Sequence, residues 1–371
     1  MNIPAVEGKR RSIAYYVSAH GYGHGVRSTD ILRSLMALHP EQPPFIVSGL
    51  PKAFFDSRLP DRRYHYRKQA LDVGMVQIDP IRCDPEATLV KLENYCRKRP
   101  ELMAHEADFL IANRVGLVVA DIPGIPLEVA CREGIPRLAV GNFGWDWLYS
   151  YYESGDRRWK PFVELFRQEY SKTDLLLRLP FCEEMEAFPR VEDIPLVASP
   201  GTNRREEMSE ITGCDSSKQW VLLSFTSLDW DDAVLNRLEE IESYEFFVLP
   251  PLYWKRRNIH CLDKAHLPFA DVVASVDGVL SKPGFGILSE CAVNHKPLLY
   301  VDRADFAEYP VLEDALKRYF QSLHIPSERL YRGEIGEFLD RLWTCPQPRA
   351  ELAQGGAPIA AGRIMDFLAG N

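Results

Sequence analysis

Two imidazoles and three glycines are crowded into the segment Ser18-Ala19-His20-Gly21-Tyr22-Gly23-His24-Gly25. An imidazole titrates near neutral pH, so it can take the proton of a hydroxyl as that hydroxyl attacks an electrophile. Glycines at 21, 23 and 25 let the backbone turn sharply and approach a ligand closely. The spacing is GxGxG rather than GxGxxG. The following strand ends at Val47-Ser48-Gly49 with no acidic residue for a ribose, which argues against a nicotinamide dinucleotide. His20 and His24 have HxxxH spacing, which aligns metal ligands only on a helix. Gly21 and Gly23 predict no helix there, so no metal is expected. A general base is the chemistry that remains, with at least one of the two histidines serving only as a hydrogen-bonded loop residue.

Such a base needs an acid behind it. Asp121 closes the apolar run Leu117-Val118-Val119-Ala120, at a strand end expected to face the first Gly-rich loop. It suits a carboxylate that holds the base's other ring nitrogen, as in a triad, and equally an N-cap for the helix starting near Ile125.

A second Gly-rich segment, Ser281-Lys282-Pro283-Gly284-Phe285-Gly286-Ile287-Leu288-Ser289-Glu290, reads as strand, loop and helix. Gly284 and Gly286 leave backbone N–H groups open at a helix N-terminus, which suits a diphosphate. Glu290, one turn into the helix, is placed to accept from ribose hydroxyls. The P-loop pattern GxxxxGK[ST] is absent. Ser224 and Thr226, at the end of an earlier strand, join Lys282, Phe285 and Ser289 as donor-side candidates. Asp229-Trp230-Asp231-Asp232 offers a DxD pair, but it stands before a helical pattern and reads as a cap.

The elements that position these loops alternate. Strands are expected at Ile13–Val17, 45–47, 116–121 and 138–141, with helices at about 29–38, 88–112 and 127–133 between them. A polar stretch over about 195–217, broken by Pro200, Gly201 and Gly213, reads as a linker. A second set follows: strands at 220–225, 246–249, 279–280 and 298–301, helices at 231–241 and 287–293, and a terminal helix near 359–368. The expected fold is α/β, with two Rossmann-like doubly wound domains facing across a cleft. The domains are expected at residues 1–198 and 199–371, the last helix packing back on the first.

At 371 residues and 46% apolar, the chain is long enough for two cores. A net charge of −9 argues against nucleic acid as a partner. The eight cysteines form no CxxC pair, and no apolar run is long enough for a leader or a membrane span, so a cytoplasmic protein with reduced thiols is expected. Residues 142–152 concentrate Phe143, Trp145, Trp147, Tyr149, Tyr151 and Tyr152 around Asp146. Aromatic faces stack on sugars and also build cores, and the i, i+4 pair Trp145/Tyr149 has the spacing of packing.

The chain resembles the N-terminal glycosyltransferase-like region of plant L-arabinokinases, and more distantly the lipid II-forming N-acetylglucosaminyl transferase superfamily. The resemblance is carried by Tyr15 to His24, Leu71-Asp72-Val73-Gly74-Met75-Val76-Gln77, Asn142 to Tyr149, Leu177-Arg178-Leu179-Pro180, and Lys282 to Glu290 continuing to Tyr309-Pro310. It implies the GT-B architecture and a metal-independent, inverting transfer from a nucleotide-diphosphate sugar, with UDP as the usual carrier and no other cofactor. The Gly-His pair of the family matches Gly23-His24, which makes His24 the base, His20 the second choice and Asp121 its support. Gly284 to Glu290 match the donor loop. Asp302, Asp305 and Glu308 stand where sugar hydroxyls are held, although the usual glutamine pair is missing. On the acceptor side the resemblance and the aromatics select Gly23, Asn142, Trp145, Asp146 and Tyr149, with a small-molecule or lipid-linked acceptor and, for the latter, peripheral contact with a membrane. The kinase's Gly-Leu-Ser-Ser-Ser phosphate loop is absent, so kinase chemistry is not implied. A nucleotide-sugar epimerase or hydrolase, or a non-catalytic nucleotide-sugar-binding protein, remain alternatives on the same fold.

Overall fold

The structure is a computed structural model that describes residues 12–59, 61–79, 81–263, 267–303 and 306–370. In chain order the strands of the first half are β1 (Ser12–Val17), β2 (Phe45–Ser48), β3 (His65–Lys68), the short pair β4 (Val76–Gln77) and β5 (Cys83–Asp84), then β6 (Val115–Asp121), β7 (Arg137–Gly141), β8 (Leu175–Arg178) and β9 (Val191–Asp193). Those of the second half are β10 (Gln219–Ser224), β11 (Tyr244–Val248), β12 (Ile259–Cys261), β13 (Gly278–Ser281), β14 (Leu298–Val301) and β15 (Ser322–Ile325).

One sheet runs β3-β2-β1-β6-β7-β8-β9 and the other β12-β11-β10-β13-β14-β15, with every pairing within them parallel. All seven residues of β6 are buried, as a parallel strand covered by helices on both faces requires. Each sheet is wound outward from its first strand and then restarted on the other side. The order therefore reverses between β1 and β6 in one sheet and between β10 and β13 in the other. The carboxyl ends beside such a reversal form the crevice where open α/β sheets bind ligands.

The chain divides into two compact units that exchange segments. The first takes the sequence up to Met75, Pro85–Val197 and everything from Gly355 on; the second takes Val76–Asp84 and Ala198–Gln354. The break at Val197 lies beside the sequence-based one, but the antiparallel hairpin β4–β5 belongs to the second unit, where Ile81 joins the core under β10 and β11. The terminal helix Gly356–Ala369 lies on the helix Tyr22–Leu38 of the first unit and sets Ala360, Ala361 and Ile364 into its core. Ile364 is fully buried there. Ile364→Ala is expected to cost about 2–5 kcal/mol, read as a lower urea midpoint for a probe in the first unit. An unchanged midpoint would mean the helix is not part of that cooperative core.

Two expectations need correction. The helix after β1 begins at Tyr22, not near 29, so His24 sits in its first turn. Glycine disfavours helix by about 1 kcal/mol, but tertiary packing favours it at position 25: a Cβ there would lie 2.4 Å from the Phe54 ring, so any larger residue would have to push that ring aside. His20 precedes the N-cap Gly21, and the two histidines are not a helical i, i+4 pair. The stretch read as linker contains a helix, Arg205–Thr212, ended by Gly213 in the left-handed region (φ 69). Arg204 Nε ties its start to Asp271 at 2.6 Å.

Candidate active site

Register fixes the first site. Val17, the last residue of β1, pairs with Asp121, the last of β6, so the loop after β1 and the Asp121 carboxylate emerge together at the order reversal. The chain then bends at Ile122, a fully buried β-branched residue at φ +64. Such a conformation costs on the order of 1–3 kcal/mol and concentrates at functional sites. Tyr170 Oη donates to the Ile122 carbonyl at 3.0 Å and helps hold the bend.

Asp121 is fully buried and carries a dense set of partners. His24 Nδ1 lies 2.8 Å from Oδ1, Arg27 donates from Nε to Oδ2 at 2.7 Å and from Nη2 to Oδ1 at 2.5 Å, and Ser28 Oγ donates to Oδ2 at 2.9 Å. Burial alone would raise this carboxyl's pKa; the charges of Arg27 and His24 outweigh it and hold the group well below the usual carboxylate range. Of the two roles open to Asp121, the geometry is that of the ring-holding carboxylate: the helix Gly124–Arg132 has Pro123 at its N-cap position. Arg27 Nη1 also donates to Asn142 Oδ1, and Asn142 Nδ2 to the Pro180 carbonyl. The His24 ring meets Phe143 edge-on at 5.9 Å.

His20 stands nearby in a different setting. Its ring meets Trp145 edge-on at 5.2 Å and covers Gly74, where a Cβ would fall 1.8 Å from Nδ1. Gly23 is half-buried in the first helical turn. Asp72, from the segment Leu71–Gln77, accepts from Trp145 Nε1 at 3.1 Å and faces His24; burial raises its pKa.

The structure corrects the aromatic cluster. Trp145 and Tyr149 are both 0% exposed and pack on one another at 5.8 Å, with Tyr149 Oη donating to the Val73 carbonyl. Neither has a face left for a sugar, because both rings fill the space beneath the site. Asp146 is buried as well, 3.6 Å from Arg167, and burial pushes its pKa up to about 6.

The second site lies at the β10/β13 reversal. Ser224 pairs with Ser281, whose hydroxyl donates to the Ser224 carbonyl at 2.9 Å. After β13, Lys282 and Pro283 lead into the nine-residue helix Phe285–Val293, capped by Gly284 in extended backbone. A Cβ on Gly284 would meet nothing within 4 Å, so there is open space beside the start of this helix. Burial lowers the Lys282 pKa to about 7, Arg303 adding to the effect and Glu308 and Asp79 opposing it. Glu308 is 3.7 Å from Arg303. Glu290 is buried on the inner face of the helix and Ser289 Oγ donates to the Phe285 carbonyl at 2.8 Å. Phe285 and Gly286 form the half-buried first turn, and Thr226 is exposed beyond β10. Asp302 Oδ1 accepts from the Ser327 N–H (2.9 Å) at the start of the helix Ser327–Tyr331 and faces His324 Nε2 (3.1 Å), so it is already engaged. Asp305 falls outside the described residues. Asp231 Oδ1 accepts from the Val234 N–H at 3.0 Å, capping the helix Asp232–Glu239.

The sequence reading missed Arg27, Ser28 and Asp79. Arg27 is three residues after His24 and shares its helix face, a signal visible only once the helix is started at Tyr22. Asp79 rides on the β4–β5 hairpin, and no local pattern ties that hairpin to the second unit.

No protein-family profile matches the chain. It is 30% identical over 377 residues to the L-arabinokinase of Arabidopsis thaliana, a match covering 98% of this chain and 35% of that protein. The chain thus spans about a third of that relative's length. Among solved structures, it matches a UDP-glucosyltransferase from Polygonum tinctorium capable of glucosylating indoxyl, at 14% identity over 96% of this chain and 98% of the other, with a TM-score of 0.61. Medicago truncatula UGT71G1, complexed with UDP-glucose, matches at 13% over 96% and 98%, TM-score 0.60. The calicheamicin glycosyltransferase CalG4 matches at 14% over 97% and 94%, TM-score 0.58. Identities this low speak to the fold, and the fold is GT-B.

Proposed function

We propose that this chain is a glycosyltransferase that moves a sugar from a nucleotide diphosphate, UDP-linked, to an acceptor hydroxyl with inversion and without a metal ion. The observation that carries the reading is the His24–Asp121 pair, 2.8 Å apart at the order reversal of the first sheet. Asp121 holds Nδ1, leaving Nε2 as the nitrogen that takes the acceptor's proton. The freed oxygen attacks the anomeric carbon from the face opposite the diphosphate, forming the new C–O bond as the old one breaks. The electron pair of the broken bond leaves on the diphosphate, where the N–H groups after Gly284 and the Lys282 ammonium meet the charge. Glu290 and Glu308 are proposed as the donor-side carboxylates that accept from sugar or ribose hydroxyls. The UDP-glucosyltransferase and UDP-glucose-complex neighbours support a UDP-linked donor.

A thermal-shift panel of nucleotide sugars tests the donor, followed by product analysis across polyol, sugar and aromatic hydroxyl acceptors. A UDP-sugar at 100 times its Kd is expected to stabilise the fold by about 2.7 kcal/mol. Release of free sugar with no transfer product on any acceptor would sink the proposal in favour of a hydrolase.

Lys282 adds a pH signature. A bound diphosphate favours the ammonium form, so UDP affinity is expected to fall as pH rises from 7 to 9, as the free protein's amine loses its proton. Lys282→Met is expected to weaken UDP binding about tenfold at pH 7 and to flatten that dependence. Isothermal titration across the pH range reads both, and a wild-type affinity that rises with pH would contradict the assignment.

A further inference from the structure

We propose that Asp72 is an acceptor-binding residue whose carboxylate accepts from a second hydroxyl of the acceptor, next to the one His24 deprotonates, and that the acceptor is therefore a polyol or a sugar. The proposal rests on the first site being that of a transferase.

The loop that carries Asp72 is held in place from below. Tyr95 Oη donates to the Leu71 carbonyl at 3.2 Å and Tyr149 Oη donates to the Val73 carbonyl, so the backbone on each side of Asp72 is tied to a buried aromatic. Trp145 is fully buried, and its one side-chain N–H donates to Asp72 Oδ2 at 3.1 Å. Three successive residues are thus each gripped by the polar end of a buried ring, which fixes the carboxylate relative to the base. Gly74 completes the arrangement, because the absence of a Cβ there lets the His20 ring lie on the loop.

The surroundings of the carboxylate give it a different task from that of Asp121. Asp121 is fully buried and balanced by the Arg27 guanidinium. Asp72 has neutral donors, the Ser18 hydroxyl and the Trp145 N–H, and the charge of His24 bears on it directly. Among the described residues no lysine or arginine makes an ion pair with it. It is also part-exposed, in a patch with His20, Gly21, Gly23 and Gly74, which are part-exposed too. A carboxylate that balances no cation, yet is fixed beside a base and open on one side, is placed to meet a ligand. An ionised carboxylate only accepts, so the group that meets it must bring a hydrogen. A phenol or a monohydric alcohol has only the hydroxyl that His24 takes; a polyol or sugar has another on the adjacent carbon. The buried rings of Trp145 and Tyr149 offer no flat face to a competing aromatic acceptor.

The test compares myo-inositol, which has a hydroxyl on every ring carbon, with cyclohexanol, which has the same ring and a single hydroxyl, and with phenol. Saturation-transfer spectra of the full chain with UDP read acceptor binding, and initial rates with UDP-glucose read kcat/KM. The wild type is expected to prefer myo-inositol to both others. In Asp72→Ala its preference over cyclohexanol is expected to fall about 10–100-fold, with UDP affinity unchanged. Asp72→Asn keeps an oxygen for the Trp145 N–H and so preserves the loop; it is expected to lose the preference in part, and it decides the matter if Asp72→Ala fails to fold. A side chain that merely held the loop would slow every acceptor alike, so a preference unmoved by the substitutions overturns the proposal. A wild type that binds no myo-inositol, or that favours phenol, overturns it as well. Hydrolysis of the donor with no transfer product would defeat the transferase reading instead, while Asp72-dependent binding of myo-inositol would still stand, so the two failures are distinguishable.

Discussion

His24→Ala is expected to lower the rate of sugar transfer about 10²–10⁴-fold while leaving UDP affinity unchanged. The size follows from the step the residue serves: a hydroxyl is a poor nucleophile until its proton has somewhere to go. Donor affinity is spared because the proposed diphosphate groups, Lys282 and the amides after Gly284, belong to the other unit. The fold is expected to tolerate the change, since Asp121 keeps Arg27 on both oxygens and Ser28 on one. His20→Ala serves as the control. That ring meets Trp145 edge-on and covers Gly74, so its loss is expected to loosen the loop and lower the rate by a smaller factor. Single-turnover rates with a saturating UDP-sugar separate the two. If His20→Ala proved the more damaging, the base would have to be reassigned to it.

What the sequence made legible divides by the range of the interaction. β1 and β13 are apolar runs that end in Gly-rich turns, and β6 is an apolar run closed by Asp121; they are visible because burial on both faces of a parallel sheet writes a local signature. Asp121 stands out for the same reason, a single carboxylate closing a wholly apolar strand. Arg27 does not. In sequence it is one basic residue just after three glycines, and its meaning depends on a strand 94 residues away. Gly25 shows why the helix starts earlier than its local pattern suggests: helix propensity counts against it, while the closeness of Phe54, which no local pattern reveals, favours it. Trp145 and Tyr149 have the i, i+4 spacing of a packing pair, and their full burial favours that reading over the acceptor-side one. Sugar-stacking aromatics and core aromatics have the same composition, and only burial tells them apart. The hairpin β4–β5 was illegible because unit membership is a three-dimensional property; its nine residues sit inside the sequence of one unit and pack in the other.

Asp121→Ala is expected to produce the largest loss of stability, about 3–5 kcal/mol. The cause is the charge left behind. Arg27 is 7% exposed, and with Asp121 gone the groups left beside it, Asn142 and the His24 ring, carry no counter-charge. A guanidinium buried without a counter-charge costs more than the pair contributes when intact. The double variant Arg27→Met/Asp121→Leu therefore is expected to recover most of the loss while remaining inactive, which separates the structural role of the pair from its chemical one. Acid gives an independent reading. The folded carboxyl of Asp121 is held below its ordinary value, so its contribution is full above the unfolded pKa of about 3.9 and is lost as pH falls below that toward the folded one. The wild type is thus expected to lose stability steeply below about pH 4, and Asp121→Ala to lose less over the same interval. Urea midpoints from pH 3 to 7 measure both curves. Parallel curves would mean that the carboxylate is not held by Arg27 and His24 in solution.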